Sequence, residues 1–184
     1  MHVAGIVLLG VVIEAVAKQT YYDYVARRVF KPAGMVATSS PMEDKAREPE
    51  RSIGYMRDPA AGWQPNTDTL PIRATSAGGG DSTVKDLLAF ANALTSHKLL
   101  DAEHTRLLTT GKVEMGGGGM KYAFGFMESV EDGRRCFGHG GGAPGLNGQL
   151  TICDDGYTIV VLANLDPPAA GRVEQFVLAR LPRK

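Results

Sequence analysis

Cysteine is scarce. Cys136 and Cys153 are too few for a disulfide framework and lack the CxxC spacing of a zinc or thiol-redox site. They read as buried thiols, and a bridge is open to them if their strands form a hairpin about Pro144 and Gly145. Neither sign of charge is in excess, with 20 Lys+Arg against 20 Asp+Glu, so no long-range field draws the chain to a phosphate backbone. Nucleic acid is excluded as an expected partner. No apolar run is long enough to span a bilayer: Val3 to Ile13 is preceded by no Lys or Arg and continues through Val16 and Ala17, which predicts an internal helix rather than a leader. His97 and His104 have no acid or cysteine at ligand spacing and read as solvated surface, so no metal and no cofactor is expected.

What the chain has is a globular composition, 43% hydrophobic and 22% charged, which predicts one domain over residues 1–184. Glycine is the excess, 23 residues, clustered at 78–80, 116–119 and 138–142. Glycine in clusters marks places where backbone must approach something closely.

The spacing predicts helices over Ala4 to Lys18 and Tyr21 to Phe30, with Thr20 capping the second and Lys31-Pro32-Ala33-Gly34 stopping it. Prolines at 41, 49, 59, 65 and 71 forbid long helices up to Ala77, while Ile53 to Met56 and Trp63-Gln64 flank an Asp58-Pro59 turn like a short hairpin. Helical spacing resumes at Leu87, Leu88, Phe90, Ala91 and Leu94, and a shorter helix follows Asp101. Tyr122 to Val130, Arg134 to Gly138, Gln149 to Cys153 and Tyr157 to Asn164 then read as antiparallel strands, the middle pair joined by a glycine loop. Asp166-Pro167-Pro168 opens a last helix. Helices, a run of strands and a closing helix predict an α+β fold with antiparallel strands packed on helices.

Two segments carry residue types that could do chemistry. In Gly138-His139-Gly140-Gly141-Gly142-Ala143-Pro144-Gly145, bare backbone N–H groups could approach an oxyanion beside a titratable imidazole; a tight Gly-Pro-Gly hairpin with an incidental histidine accounts for the same residues. Gly140-x-Gly142-x-x-Gly145 imitates a dinucleotide fingerprint without the helix that should follow, and His139-Gly140-Gly141-Gly142 imitates a lipase oxyanion segment without any GxSxG elbow. Ser82-Thr83-Val84-Lys85 has the S-x-x-K spacing of an acylating serine, yet Thr83-x-x-Asp86 is an ordinary capping arrangement, and Ser82 and Lys85 read as decoys.

In order along the chain, Val7-Leu8-Leu9-Gly10-Val11-Val12-Ile13-Glu14, Tyr22-Asp23-Tyr24-Val25, Phe30-Lys31-Pro32-Ala33-Gly34-Met35, Ala77-Gly78-Gly79 with Ser82-Thr83 and Asp86-Leu87, and the His139 glycine segment resemble the serine β-lactamase-related family: class C β-lactamases, penicillin-binding-protein-like peptidases and esterase relatives. Members are longer, and the match is to their C-terminal half. The resemblance implies a truncated α/β region, and it implies that the nucleophilic S-x-x-K helix precedes this sequence while Ser82 to Lys85 falls on a later, non-catalytic S-T-x-x-D-L helix. It puts Met1 and Val3 where the Y-x-N motif has tyrosine and asparagine. The third motif is carried by His139-Gly140-Gly141, with Gly142 N–H as half of an oxyanion hole, so His139 is the catalytic candidate and Gly140, Gly141 and Gly142 are the substrate-binding candidates. Complete relatives act as hydrolases on acyl substrates, β-lactam, peptide or ester. This chain is expected to be inactive alone, because oxyanion stabilisation worth about 3 kcal/mol per donor does nothing without a nucleophile to acylate. The alternative expectation is a non-catalytic binding or assembly module, a homo-oligomer or the partner of a complementary N-terminal half, held by the apolar helix at Ala4 to Lys18.

Overall fold

A computed structural model describes residues 3–40, 51–69, 73–116 and 118–182. Helix α1 (Val3–Ala17) ends where Lys18 turns left-handed, and Glu14 Oε1 accepts the Tyr21 N–H at 2.8 Å, tying it to α2 (Tyr21–Val25). Thr20 caps α2 as expected, accepting from Asp23 N at 3.1 Å. The helical path runs past Phe30 and stops at Gly34, within the expected Lys31 to Gly34 segment. It widens into a π-helical stretch (Ala26–Phe30) and closes as α3 (Lys31–Ala33), with Gly34 left-handed at the end. Pro32 is tolerated because it lies in the first turn of α3.

The loop-rich stretch contains the expected hairpin as β1 (Tyr55–Asp58) and β2 (Gly62–Pro65), its turn held by Asp58 Oδ1 accepting from Ala60 N and Ala61 N. Helix α4 (Val84–Thr95) starts at Thr83, which accepts from Asp86 N at 3.1 Å, and α5 (Ala102–Thr109) starts at Asp101, which accepts from His104 N at 2.8 Å.

Six antiparallel strands follow as a meander in sequence order: β3 (Val113–Glu114), β4 (Lys121–Tyr122), β5 (Met127–Glu131), β6 (Arg134–Ala143), β7 (Leu146–Cys153) and β8 (Thr158–Ala163). The single strand expected over Tyr122 to Val130 is two, β4 and β5, because Gly125 takes a positive φ and Ala123 N donates to Phe126 O across the bend. The expected glycine loop after Gly138 is strand instead: Gly140 registers with Gln149 and Gly142 with Asn147, which leaves only Pro144-Gly145 as the turn. At Gly138, Gly140 and Gly142 a side chain would have no room. A methyl group at Gly138 would overlap the backbone carbonyl of Leu150.

That register also sets Cys136 opposite Cys153, and the two are bridged, not free thiols. The bridge joins β6 to β7, two interior strands of the meander. Side chains of β6 alternate faces, so Cys136, Gly138, Gly140 and Gly142 share one side with Thr151, and Phe137 and His139 share the other with Leu150 and Ile152. Helix α6 (Ala169–Leu178) covers the first side, where Glu174 accepts from Thr151 Oγ1 at 3.0 Å. On the second, Ala91 and Leu94 of α4 pack on Phe126, Phe137 and Ile152, with Phe126 and Phe137 edge-to-face at 5.8 Å. Burying each such large side chain contributes about 1.5–3 kcal/mol.

Candidate active-site strand

The two segments singled out above have different surroundings. Ser82 Oγ lies 2.8 Å from Thr38 Oγ1, and Thr38 Oγ1 donates to Asp86 Oδ2 at 2.7 Å, so the hydrogen between the two hydroxyls belongs to Ser82. Asp86 is buried and also accepts the Ala37 N–H at 2.7 Å. Lys85 is exposed, and among the described residues it makes no hydrogen bond to Ser82. The S-T-x-x-D segment therefore clamps the start of α4 to the chain leaving α3.

At the other segment β6 pairs with β7 as far as Ala143 but with β5 only to Gly138. From His139 to Ala143 one edge of the strand has no neighbour among the described residues. A bare edge offers N–H and C=O groups to an extended ligand. His139 is exposed at the point where this edge begins. Tyr122 reaches it from β4: Tyr122 registers with Met127 and Met127 with Gly138, which puts its Oη 3.4 Å from His139 Nε2 and the rings edge-on, centroids 6.1 Å apart. Burial pushes the Tyr122 phenol above its ordinary pKa.

Gly140, Gly141 and Gly142 differ from one another. A methyl group at 140 would overlap Gln149 Oε1 and one at 142 the ring of Pro167, whereas at 141 it would meet nothing. Gly140 and Gly142 are thus pressed from the α6 side, and Gly141 faces open space on the His139 side. The strand is held in place by residues that sequence reasoning missed. Asn147 Nδ2 donates to Gly141 O at 2.7 Å while its Oδ1 accepts the Ala170 N–H at the start of α6. Asn66, 2% exposed, accepts from Gly54 N and donates to Pro144 O at the hairpin tip. Asp166, expected only to open the last helix, accepts from Gly145 N at 2.8 Å and Arg57 N at 2.9 Å, and these two backbone donors hold its carboxyl below the ordinary range. Nothing local in the sequence marks these roles, since each partner is 21 or more residues away except Gly141 and Gly54.

His97 lies 3.4 Å from Thr105 Oγ1 through Nδ1, and His104, expected to lack an acid, pairs with Asp101 at 2.8 Å. Among the described residues no group of three His, Cys, Asp or Glu could hold a metal, and no single helix is long and apolar enough to cross a membrane. The open hollow of about 470 Å³ beside α2 does not include His139. Its cation, Arg73, is occupied by the chain itself, stacked on the Tyr22 ring at 3.4 Å and donating to Ser40 O.

A family profile described as Beta-lactamase matches residues 2–183. A D-aminopeptidase of Cereibacter sphaeroides is 23% identical over 175 residues, which is 95% of this chain and 33% of that protein. The penicillin-binding protein of Bacillus halodurans superposes with a TM-score of 0.90 at 28% identity, over 98% of this chain and 56% of that one. The octameric penicillin-binding protein homologue of Pyrococcus abyssi superposes at 0.85 and 24% identity, over 99% and 43%. The chain thus spans about a third of the curated relative and about half of each solved one.

Proposed function

The chain belongs to the beta-lactamase family, and from that premise we propose that these 184 residues form one incomplete domain carrying the substrate-side strand of an acyl-transfer serine hydrolase, without its nucleophile. The observation that carries the reading is the open edge of β6 from His139 to Ala143, set beside an S-x-x-K whose serine is committed to Thr38. In this reading His139 and the backbone of Gly140, Gly141 and Gly142 receive the acyl group, Gly142 N–H is half of an oxyanion hole, and the acylated serine comes from an S-x-x-K-bearing half. Substrates are β-lactam, peptide or ester acyl compounds. A relative named D-aminopeptidase supports an amide-cleaving member.

A fluorophosphonate probe read by intact mass tests this. Alone, the chain stays unlabelled; mixed with the S-x-x-K-bearing N-terminal half of a family member, the mixture hydrolyses ester and the label goes to the added half. Stoichiometric labelling of this chain by itself would end the proposal.

A second reading, a non-catalytic assembly module, is favoured by α1. Leu8 is 62% and Val16 78% exposed, and Gly10 is the helix's one buried residue. An apolar helix face in water marks an interaction surface. The partner is a second copy or a complementary half. Light scattering that returns a monomer with no uptake of apolar dye would remove this reading.

A further inference from the structure

On the reading of β6 as a substrate-side strand, we propose that Tyr122 is a positioning residue for His139: its phenol O–H donates to Nε2, holding the neutral imidazole with its proton on Nδ1 and offering that N–H to an acyl or carboxylate oxygen of the substrate.

A neutral imidazole has one donor and one acceptor nitrogen, and which is which follows from the bond the other makes. At His139 only Nε2 has a partner among the described residues, the Tyr122 oxygen at 3.4 Å. Between a phenol and a neutral imidazole the phenol O–H is the stronger donor and the unprotonated ring nitrogen the stronger acceptor, so Nε2 accepts and the ring proton resides on Nδ1. The orientation is fixed as well as the tautomer. The rings meet at 85° with centroids 6.1 Å apart, an edge-to-face contact that resists rotation of the imidazole. The pair is built by the sheet, since Tyr122, Met127 and Gly138 lie in one cross-strand row and His139 is the next residue along. A separation of 3.4 Å is at the long end for a hydrogen bond, as at many sites that tighten when a ligand arrives.

The consequence for function is a site that needs no charged histidine. An N–H from Nδ1 and backbone N–H groups from the glycine strand would together receive one oxygen-rich group.

The experiment is a long-range proton–nitrogen correlation spectrum of the uniformly nitrogen-15-labelled chain, recorded above the ordinary imidazole titration range. His139 is expected in the Nδ1–H form. Tyr122→Phe, which keeps the ring and removes the hydroxyl, should shift the tautomer ratio toward Nε2–H by about three- to tenfold, the size of one hydrogen bond. His97 and His104 should not move, which reports that the variant is folded. A wild-type His139 in the Nε2–H form, or a ratio unchanged by Tyr122→Phe in a folded variant, overturns the proposal, and should the variant fail to fold the wild-type spectrum decides alone. No turnover is needed. Labelling of this chain by an acylating probe would therefore sink the half-site reading and leave the tautomer result standing, while a wrong tautomer would sink Tyr122's role and leave the half-site intact.

Discussion

Ser82 to Asp86 and His139 to Gly142 both carry residue types used in acyl transfer, and the chain treats them oppositely. Around Ser82 the polar groups are satisfied inward: hydroxyl on hydroxyl, hydroxyl on carboxylate, carboxylate on backbone N–H, all within one clamp that fixes the start of α4. Around His139 the supporting bonds come from behind, through Asn147, Asn66 and Asp166, and the front of the strand keeps an open edge. A clamp spends its hydrogen-bonding capacity on the fold, and a binding strand keeps some for a ligand. The motif alone does not separate the two cases; the bonding partners do.

The largest effect that tests this contrast belongs to the strand itself. Gly138→Ala places a methyl group on the Leu150 carbonyl, a backbone atom that cannot yield without parting β6 from β7. The expected cost is about 3 kcal/mol, the upper part of the usual overpacking range, read as a loss of denaturant midpoint at unchanged slope. A variant as stable as the parent would mean that the β6–β7 register is not as described, and the bare edge would go with it.

Next in size is the clamp. Asp86→Ala removes the carboxylate that accepts from the Ala37 N–H and the Thr38 hydroxyl, and a hydrogen bond to a charged group is worth about 1.5–3 kcal/mol. We expect a loss of about 2 kcal/mol on chemical denaturation. Ser82→Ala removes only the outermost bond of the same network, worth roughly 0.5–1 kcal/mol, and should leave ester hydrolysis by the complemented protein unchanged. Turnover abolished by Ser82→Ala, with folding intact, would make Ser82 a nucleophile and erase the difference between the segments.

Local signals in the sequence were enough for the helix caps and for most of the meander. Thr83-x-x-Asp86 and Thr20-x-x-Asp23 cap as their spacing implies, because a cap joins residues three apart. The α+β order of elements was legible for the same reason, each strand being bounded by its own turn residues. The frame of the candidate site was not. Asn66 and Pro144 are 78 residues apart, and Arg57 and Asp166 are 109 apart, so their bonds exist only once the hairpins meet. His139 to Gly142 read as a loop because glycine is depleted from strands on average, whereas here close contacts at 140 and 142 leave no space for a side chain. The bridge turns on the same strands: it was open to Cys136 and Cys153 only if they formed a hairpin about Pro144 and Gly145, and the unbroken β6–β7 pairing sets the two opposite each other.

The smallest expected effect on stability is the most discriminating. Gly141 has an ordinary strand backbone with no positive φ, and a methyl group there meets nothing within contact distance, so Gly141→Ala should change stability by no more than about 0.5 kcal/mol. Its neighbours two and three residues away show why this matters: 138 is filled by backbone on the α6 side, while 141 opens on the side where His139 stands. If that side is the ligand's, the added methyl lies in the ligand's path. The complemented protein should then lose ester turnover through a raised KM while the isolated chain melts as before. Thermal melting gives the first number and steady-state hydrolysis the second. A Gly141→Ala chain destabilised as much as Gly138→Ala would show that both faces of β6 are packed, and a variant unaffected in both measurements would show that the open side of the strand receives nothing.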